Sequence, residues 1–238
     1  MKQSGTRLTS LTAIQSNVVA CRRCPRLVKW RNAVAKEKVR RFQREEYWGK
    51  PIPSFGDPSA RLLIVGLAPA AHGGNRTGRM FTGDESGNWL FRALYRAGFA
   101  SQPESVHRHD GLRLTDCYIT ATVRCSPPKN RPTREEMLMC QLFLDSEIAL
   151  LRDVQVVVGL GRIGFDAAVE AFRRGGTIDY ARRPAFAHGA TYRLGPYTFI
   201  ASYHPSQQNT FTGRLTEPML DGIFARARQM VRRRTRGP

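Results

Sequence analysis

Four apolar runs of strand length, each leading into a loop, constrain the fold of this chain more than any other feature. They are Arg61-Leu62-Leu63-Ile64-Val65-Gly66-Leu67-Ala68, Cys117 to Val123, Val154 to Leu160 and Thr198 to Tyr203. None alternates apolar with polar residues, as expected of strands covered on both faces. A long Gly-rich loop after the first run gives way to the helical spacing Trp89, Leu90, Ala93, Leu94 and Ala97. The second run enters Ser126-Pro127-Pro128-Lys129-Asn130-Arg131-Pro132, and Thr133 with Glu136 then has the spacing of a capping box. A helix through Ala167 to Phe172 follows the third. Strands alternating with helices predict an α/β protein, a three-layer α/β/α domain around a mostly parallel four-stranded sheet. In that architecture ligands sit beyond the carboxyl ends of the strands.

With 238 residues the chain suits one well-cored domain, placed at 1–228 and including the Cys-bearing N-terminal segment. Residues 229–238 are expected to form a flexible basic tail. A helix should carry or follow the cysteine pair between Cys21 and Val39, and Pro51, Pro53, Gly56 and Pro58 mark residues 47–58 as loop.

Lys and Arg number 38 against 19 Asp and Glu, a formal charge of +19. Nucleic acid is the usual polyanionic partner of so basic a chain. A membrane surface would call for an amphipathic anchor or a concentrated basic block, and the only dense block is Arg232, Arg233, Arg234 and Arg236. No stretch has the apolar length of a membrane span, and the N-terminus lacks the apolar core of a signal peptide. The expectation is a soluble cytoplasmic protein, nucleoid-associated through DNA, and a monomer.

Of the five cysteines, Cys21 and Cys24 form a C-x-x-C pair, with Cys125 and Cys140 far downstream. Four thiolates can complete one metal site. Buried structural thiols, or a redox pair at Cys21 and Cys24, are the plainer alternatives. Zinc and a [4Fe-4S] cluster both accept four cysteines, and spacing does not separate them. Cys117, at the start of a strand, is assigned to the core.

The loops at the strand ends hold the remaining unusual residues. The first runs from Gly66-Leu67-Ala68-Pro69-Ala70-Ala71-His72 to Arg79-Met80-Phe81-Thr82-Gly83-Asp84, the second holds Lys129, Asn130 and Arg131, and the third reads His204-Pro205-Ser206-Gln207-Gln208-Asn209. Neither a P-loop nor a dinucleotide fingerprint is present.

These three motifs in order, with the four placed cysteines, resemble the uracil-DNA glycosylase superfamily, in particular its iron-sulfur, type-b (family five) branch. The middle motif, Val123-Arg124-Cys125-Ser126-Pro127-Pro128-Lys129-Asn130-Arg131, is shared in outline with the type-a enzymes of family four. Leu67-Ala68 and Ala121 stand where type-a enzymes carry polar residues, which implies a less selective base pocket. The resemblance implies removal of uracil and other deaminated bases, such as hypoxanthine, from double-stranded and also single-stranded DNA. It also implies a structural [4Fe-4S] cluster on Cys21, Cys24, Cys125 and Cys140.

An N-glycosidic bond breaks with positive charge on the sugar and negative charge on the base, and a base in the duplex must first be flipped out. The resemblance puts Phe81 under the flipped base and His204 at its carbonyl as a hydrogen-bond donor. Asp84 is the candidate to orient water or to stabilise the sugar cation, with a helix N-cap as its alternative role. Gly66, Leu67 and Ala68 should shape the pocket, and Asn130 should meet the base edge or else serve only as a turn residue. Arg79, Arg131, Gln207 and Asn209 are the candidates for DNA contacts. The rival readings are a type-a uracil-specific enzyme, a non-catalytic iron-sulfur DNA-binding protein, and a small-nucleotide enzyme, which the excess of basic charge disfavours.

Overall fold

The computed structural model describes residues 9–233. Its centre is a six-stranded sheet in the order β1-β3-β2-β4-β6-β5. The four expected strands are its parallel interior: β2 (Leu62–Gly66), β3 (Cys117–Ala121), β4 (Val156–Leu160) and β6 (Tyr197–Ser202). Two antiparallel edge strands, β1 (Phe55–Gly56) and β5 (Thr191–Leu194), complete it and correct the expectation of four. The first is only two residues long and reads as loop. The second alternates exposed with half-buried residues, the pattern of an edge, and carries no apolar run.

The missing alternation of the inner strands has a direct cause. Leu62, Ile64, Ile119, Val156, Val158 and Ile200 pack on one face, and Leu63, Val65, Tyr118, Val157 and Phe199 on the other, all at 1% exposure or less. On the first face lie α4 (Glu85–Arg96) and α8 (Glu217–Arg233), on the second α5 (Arg134–Leu150) and α6 (Gly161–Arg174), and the one-turn α3 (Gly74–Thr77) belongs to the loop after β2. Each face buries about 25 cal/mol of stabilisation per Å² of apolar surface covered. The three-layer arrangement is as the sequence implies.

A small third cluster forms where α1 (Leu11–Ala20) and α2 (Pro25–Glu37) meet α5, around Ile14, Val18, Leu27 and Phe143. Arg26 makes a two-pronged bond to Glu136, at 2.8 and 2.6 Å, and so fastens α2 to the start of α5. Thr133 and Glu136 close the anticipated capping box there. Helix α8 continues to Arg233 with Val231 fully buried, so residues 229–233 are helix rather than tail. Residues 234–238, the rest of that expected tail, lie outside the described residues.

Candidate active site

The chain order β2, β3, β4 places β3 on one side of β2 and β4 on the other, a reversal that opens a crevice at the carboxyl ends of the strands. A small cavity lies there, lined by Ala68, Pro69, Ala70, Met80, Phe81, Asp84, Ser86, Ala121 and His204. Three segments far apart in sequence thus supply one wall each: the loop after β2, the end of β3 and the loop after β6.

Phe81 occupies left-handed backbone, φ 51°, which a bulky aromatic rarely adopts. Two glycines make room for it. A methyl group on Gly87 would sit 2.0 Å from the Phe81 carbonyl oxygen, and one on Gly66 3.0 Å from its ring. The ring lies 5.7 Å from that of His204, tilted by 31°. Asn209 donates to the His204 carbonyl at 2.8 Å and so braces the turn that carries it, which ends in α7 (Gln207–Phe211). Burial drives the His204 ring down to about 4, so it is neutral at physiological pH and carries a single N–H.

Asp84 is the N-cap of α4, its Oδ1 accepting from Gly87 N at 2.9 Å. Its side chain also faces the cavity. Burial pushes the carboxyl up, against the opposing pull of the Gly87 N–H and of Arg76. The buried Arg76 reaches the carbonyl of Gly83 at 2.7 Å and that of His72 at 2.8 Å, and so holds the approach to Asp84. Ala68, Pro69, Ala70, Met80 and Ala121 make the rest of the wall apolar apart from Ser86.

Other anticipated residues are placed differently. Gly66 and Leu67 are not among the residues that line the cavity, and their carbonyls accept from Thr122 N and Val123 N, both at 2.9 Å. Asn130 is exposed in a 3-10 turn, Pro128–Asn130, with φ 54°, and is not among the residues that line the cavity. Arg131 and Gln207 are exposed at the surface. Arg79 is a correction to its assignment as a DNA contact. It is buried, bonded to both carboxylate oxygens of Asp110 at 2.8 and 2.6 Å and to Thr82 and Ser105 at 2.9 Å, which turns its charge inward. Burial alone would raise the Asp110 carboxyl, but Arg79 and the N–H groups of Leu112 and Val106 hold it well below the usual range. Ser86, Gly73 and Gly87 escaped the sequence reading; the Asp-Glu-Ser-Gly string that opens a helix was the available signal for two of them.

Cys21, Cys24, Cys125 and Cys140 converge on the small cluster beneath α1, α2 and α5, whereas Cys117 is core in β3. Cys21 ends α1 and Cys24 is the N-cap of α2. Burial, with the neighbouring sulfurs adding to it, pushes Cys24 up to about 11 and Cys125 up to about 12. Among the described residues no group of three or more His, Cys, Asp or Glu is arranged to hold a metal ion.

The family model of the uracil DNA glycosylase superfamily matches residues 53–228, the span that includes the whole sheet and the cavity. The chain belongs to that superfamily. Among proteins of this superfamily it is 48% identical over 224 residues to the type-5 uracil-DNA glycosylase of Mycobacterium tuberculosis, covering 93% of this chain and 82% of that one. With the type-5 uracil-DNA glycosylase of Thermus thermophilus identity is 49% over 220 residues, 92% and 97% of the two chains. The type-4 uracil-DNA glycosylase of Thermotoga maritima stands further off, at 27% over 208 residues and 84% of each chain. Superfamily membership carries the α/β fold and the DNA glycosylase class of enzyme. No helix among the described residues is long and apolar enough to cross a membrane.

Proposed function

We propose that this chain hydrolyses the N-glycosidic bond of deoxyuridine in DNA, starting base-excision repair, and that it also releases other deaminated bases such as hypoxanthine. The observation that carries the reading is the meeting of Phe81, Asp84 and His204 in one small cavity at the strand ends of a superfamily member. The type-5 relatives are named for uracil-DNA glycosylase activity.

A nucleotide flipped from the stack brings its base onto Phe81. The neutral His204 donates its N–H to the base oxygen as negative charge gathers there, an interaction stronger in the transition state than in the ground state. Asp84 stands for the developing sugar cation and the attacking water. Its cap bond occupies Oδ1 and pins the side chain, so positioning comes with the fold. Ala68 and Ala121 stand in the wall where a type-a enzyme would carry polar groups, so little rejects a base other than uracil. Arg131 and Gln207, both exposed, are the residues assigned to the DNA strand, and the remaining positive charge supplies the field that draws it in. The protein is read as a cytoplasmic monomer acting on double-stranded and single-stranded DNA.

The four cysteines fit a structural [4Fe-4S] cluster. All four lie in one small cluster of side chains, and since zinc accepts four thiolates as well, it is the resemblance to the iron-sulfur branch that favours the [4Fe-4S] cluster. When bound, the cluster would join α1, α2 and α5; hydrolysis needs no electron from it.

The test is base release from duplexes holding one uracil or one hypoxanthine, by the wild type and by Asp84→Asn and His204→Ala. Release of both bases, weakened by about 10²-fold or more in each variant, is expected. Uracil release alone would return the pocket to type-4 selectivity, and folded protein that releases neither base would leave only DNA binding.

A further inference from the structure

We propose that Arg31 is the counter-charge of an anionic thiolate centre on Cys21, Cys24, Cys125 and Cys140, and that it sets the reduction potential of that centre. The proposal rests on the cluster reading above. Four arginines are buried among the described residues: Arg31, Arg76, Arg79 and Arg124. Three of them meet a carboxylate, Arg76 with Glu45, Arg79 with Asp110 and Arg124 with Glu147. Arg31 is 4% exposed and has no carboxylate partner among the described residues. One terminal nitrogen donates to Cys125 Sγ at 3.0 Å and the other to the Cys21 carbonyl at 3.4 Å, while Nε finds no partner.

A guanidinium does not shed its proton, so its charge must be balanced or the fold carries it unpaired. A protonated thiol is neutral and a weak acceptor, and cannot balance it. Thiolates around a cluster can: four of them on a dipositive core leave two negative charges in excess. A buried cation bonded to one ligand sulfur is then a compensation that the apolar surroundings require. Hydrogen bonds to the sulfurs and local charge are also what tune cluster potentials. Its main chain is linked to the pocket wall through Asn75, whose Nδ2 donates to the Arg31 carbonyl at 3.3 Å and whose N donates to the Ala70 carbonyl at 3.1 Å.

The experiment loads the full chain, Arg31→Gln and Arg31→Lys with iron and sulfide. Iron and sulfide per chain are measured, then the one-electron reduction potential by dithionite titration followed by electron paramagnetic resonance. An added electron makes the centre more negative, so loss of the cation disfavours reduction. Arg31→Gln should shift the reduction equilibrium at least tenfold, about 59 mV more negative for one electron, with Arg31→Lys closer to the wild type. Retention of iron by Arg31→Lys and its loss from folded Arg31→Gln would also support the charge requirement. Full iron at the wild-type potential in Arg31→Gln overturns the proposal, as does loss of iron from both variants, because Lys keeps the charge. A wild-type chain that takes up no iron and sulfide overturns the cluster reading itself.

Discussion

The carboxylate of Asp84 lies against the bare Cα of Gly73, so closely that a methyl group there would stand 1.8 Å from Oδ2. The loop after β2 and the first turn of α4 are therefore matched to one side chain. Gly73 has φ −98° and ψ −104°, outside the regions open to alanine, so Gly73→Ala strains the backbone as well as crowding the carboxylate. Gly73→Ala is expected to lower uracil release at least tenfold, as read by single-turnover kinetics. Unchanged release would mean that the position of Asp84 does not matter to the chemistry.

Capping and catalysis by Asp84 are separable. Asparagine caps a helix as well as aspartate does, whereas alanine forfeits about 1 kcal/mol. A carboxyl raised by burial costs stability at neutral pH, and that cost shrinks as pH falls through its folded value. Asp84→Asn should therefore melt at or above the wild-type temperature at pH 7 while losing base release. Asp84→Ala should lose both. Full activity in the Asn variant would leave Asp84 as a cap only.

His204 carries a second pH signature. Its folded value of about 4 lies below the unfolded 6.5, so the neutral ring contributes stability that is complete above 6.5 and lost as pH falls toward 4. The contribution is at most about 3 kcal/mol, by the same linkage. Urea titrations from pH 7 to 4 should show a flatter decline in His204→Gln than in the wild type. Parallel curves would remove the buried neutral ring from the argument.

Arg79 and Arg131 should fail in different ways. Removing one partner of a buried pair costs about 3–5 kcal/mol, so Arg79→Ala should depress thermal stability. If Arg131 meets a phosphate, Arg131→Ala should leave melting unchanged and reduce the slope of log K against log salt by about 1. A salt slope altered by Arg79→Lys without loss of stability would restore a DNA contact at that position.

Cysteine substitutions distinguish ligand from core. Cys24→Ser should lose iron and melt lower than the wild type. Cys117→Ala, deep in β3, should keep its iron and lose about 1 kcal/mol or somewhat more. Iron contents affected alike would break the assignment of four ligands and one core thiol.

The sequence alone determined the parallel interior, because strands covered on both faces must be apolar at every position, as Leu62 to Val65 are. It also marked the capping box at Thr133, the separateness of Cys117, and the loops that hold Phe81, Asp84 and His204. Those are local properties, legible from spacing and residue type. The edge strands were not legible: β1 is two residues long, and β5 reads as polar because one side of it faces water. Nor could the sequence say which arginines are spent inside the protein. Arg79 and Arg131 look alike as letters, but only one is folded against a carboxylate 31 residues further along the chain. The tertiary structure decided that, together with the glycines that admit Phe81 and Asp84 and the cysteine sulfur that faces Arg31. Each is a contact between segments distant in sequence, where a charge or a missing methyl group has meaning only through the neighbour that folding supplies.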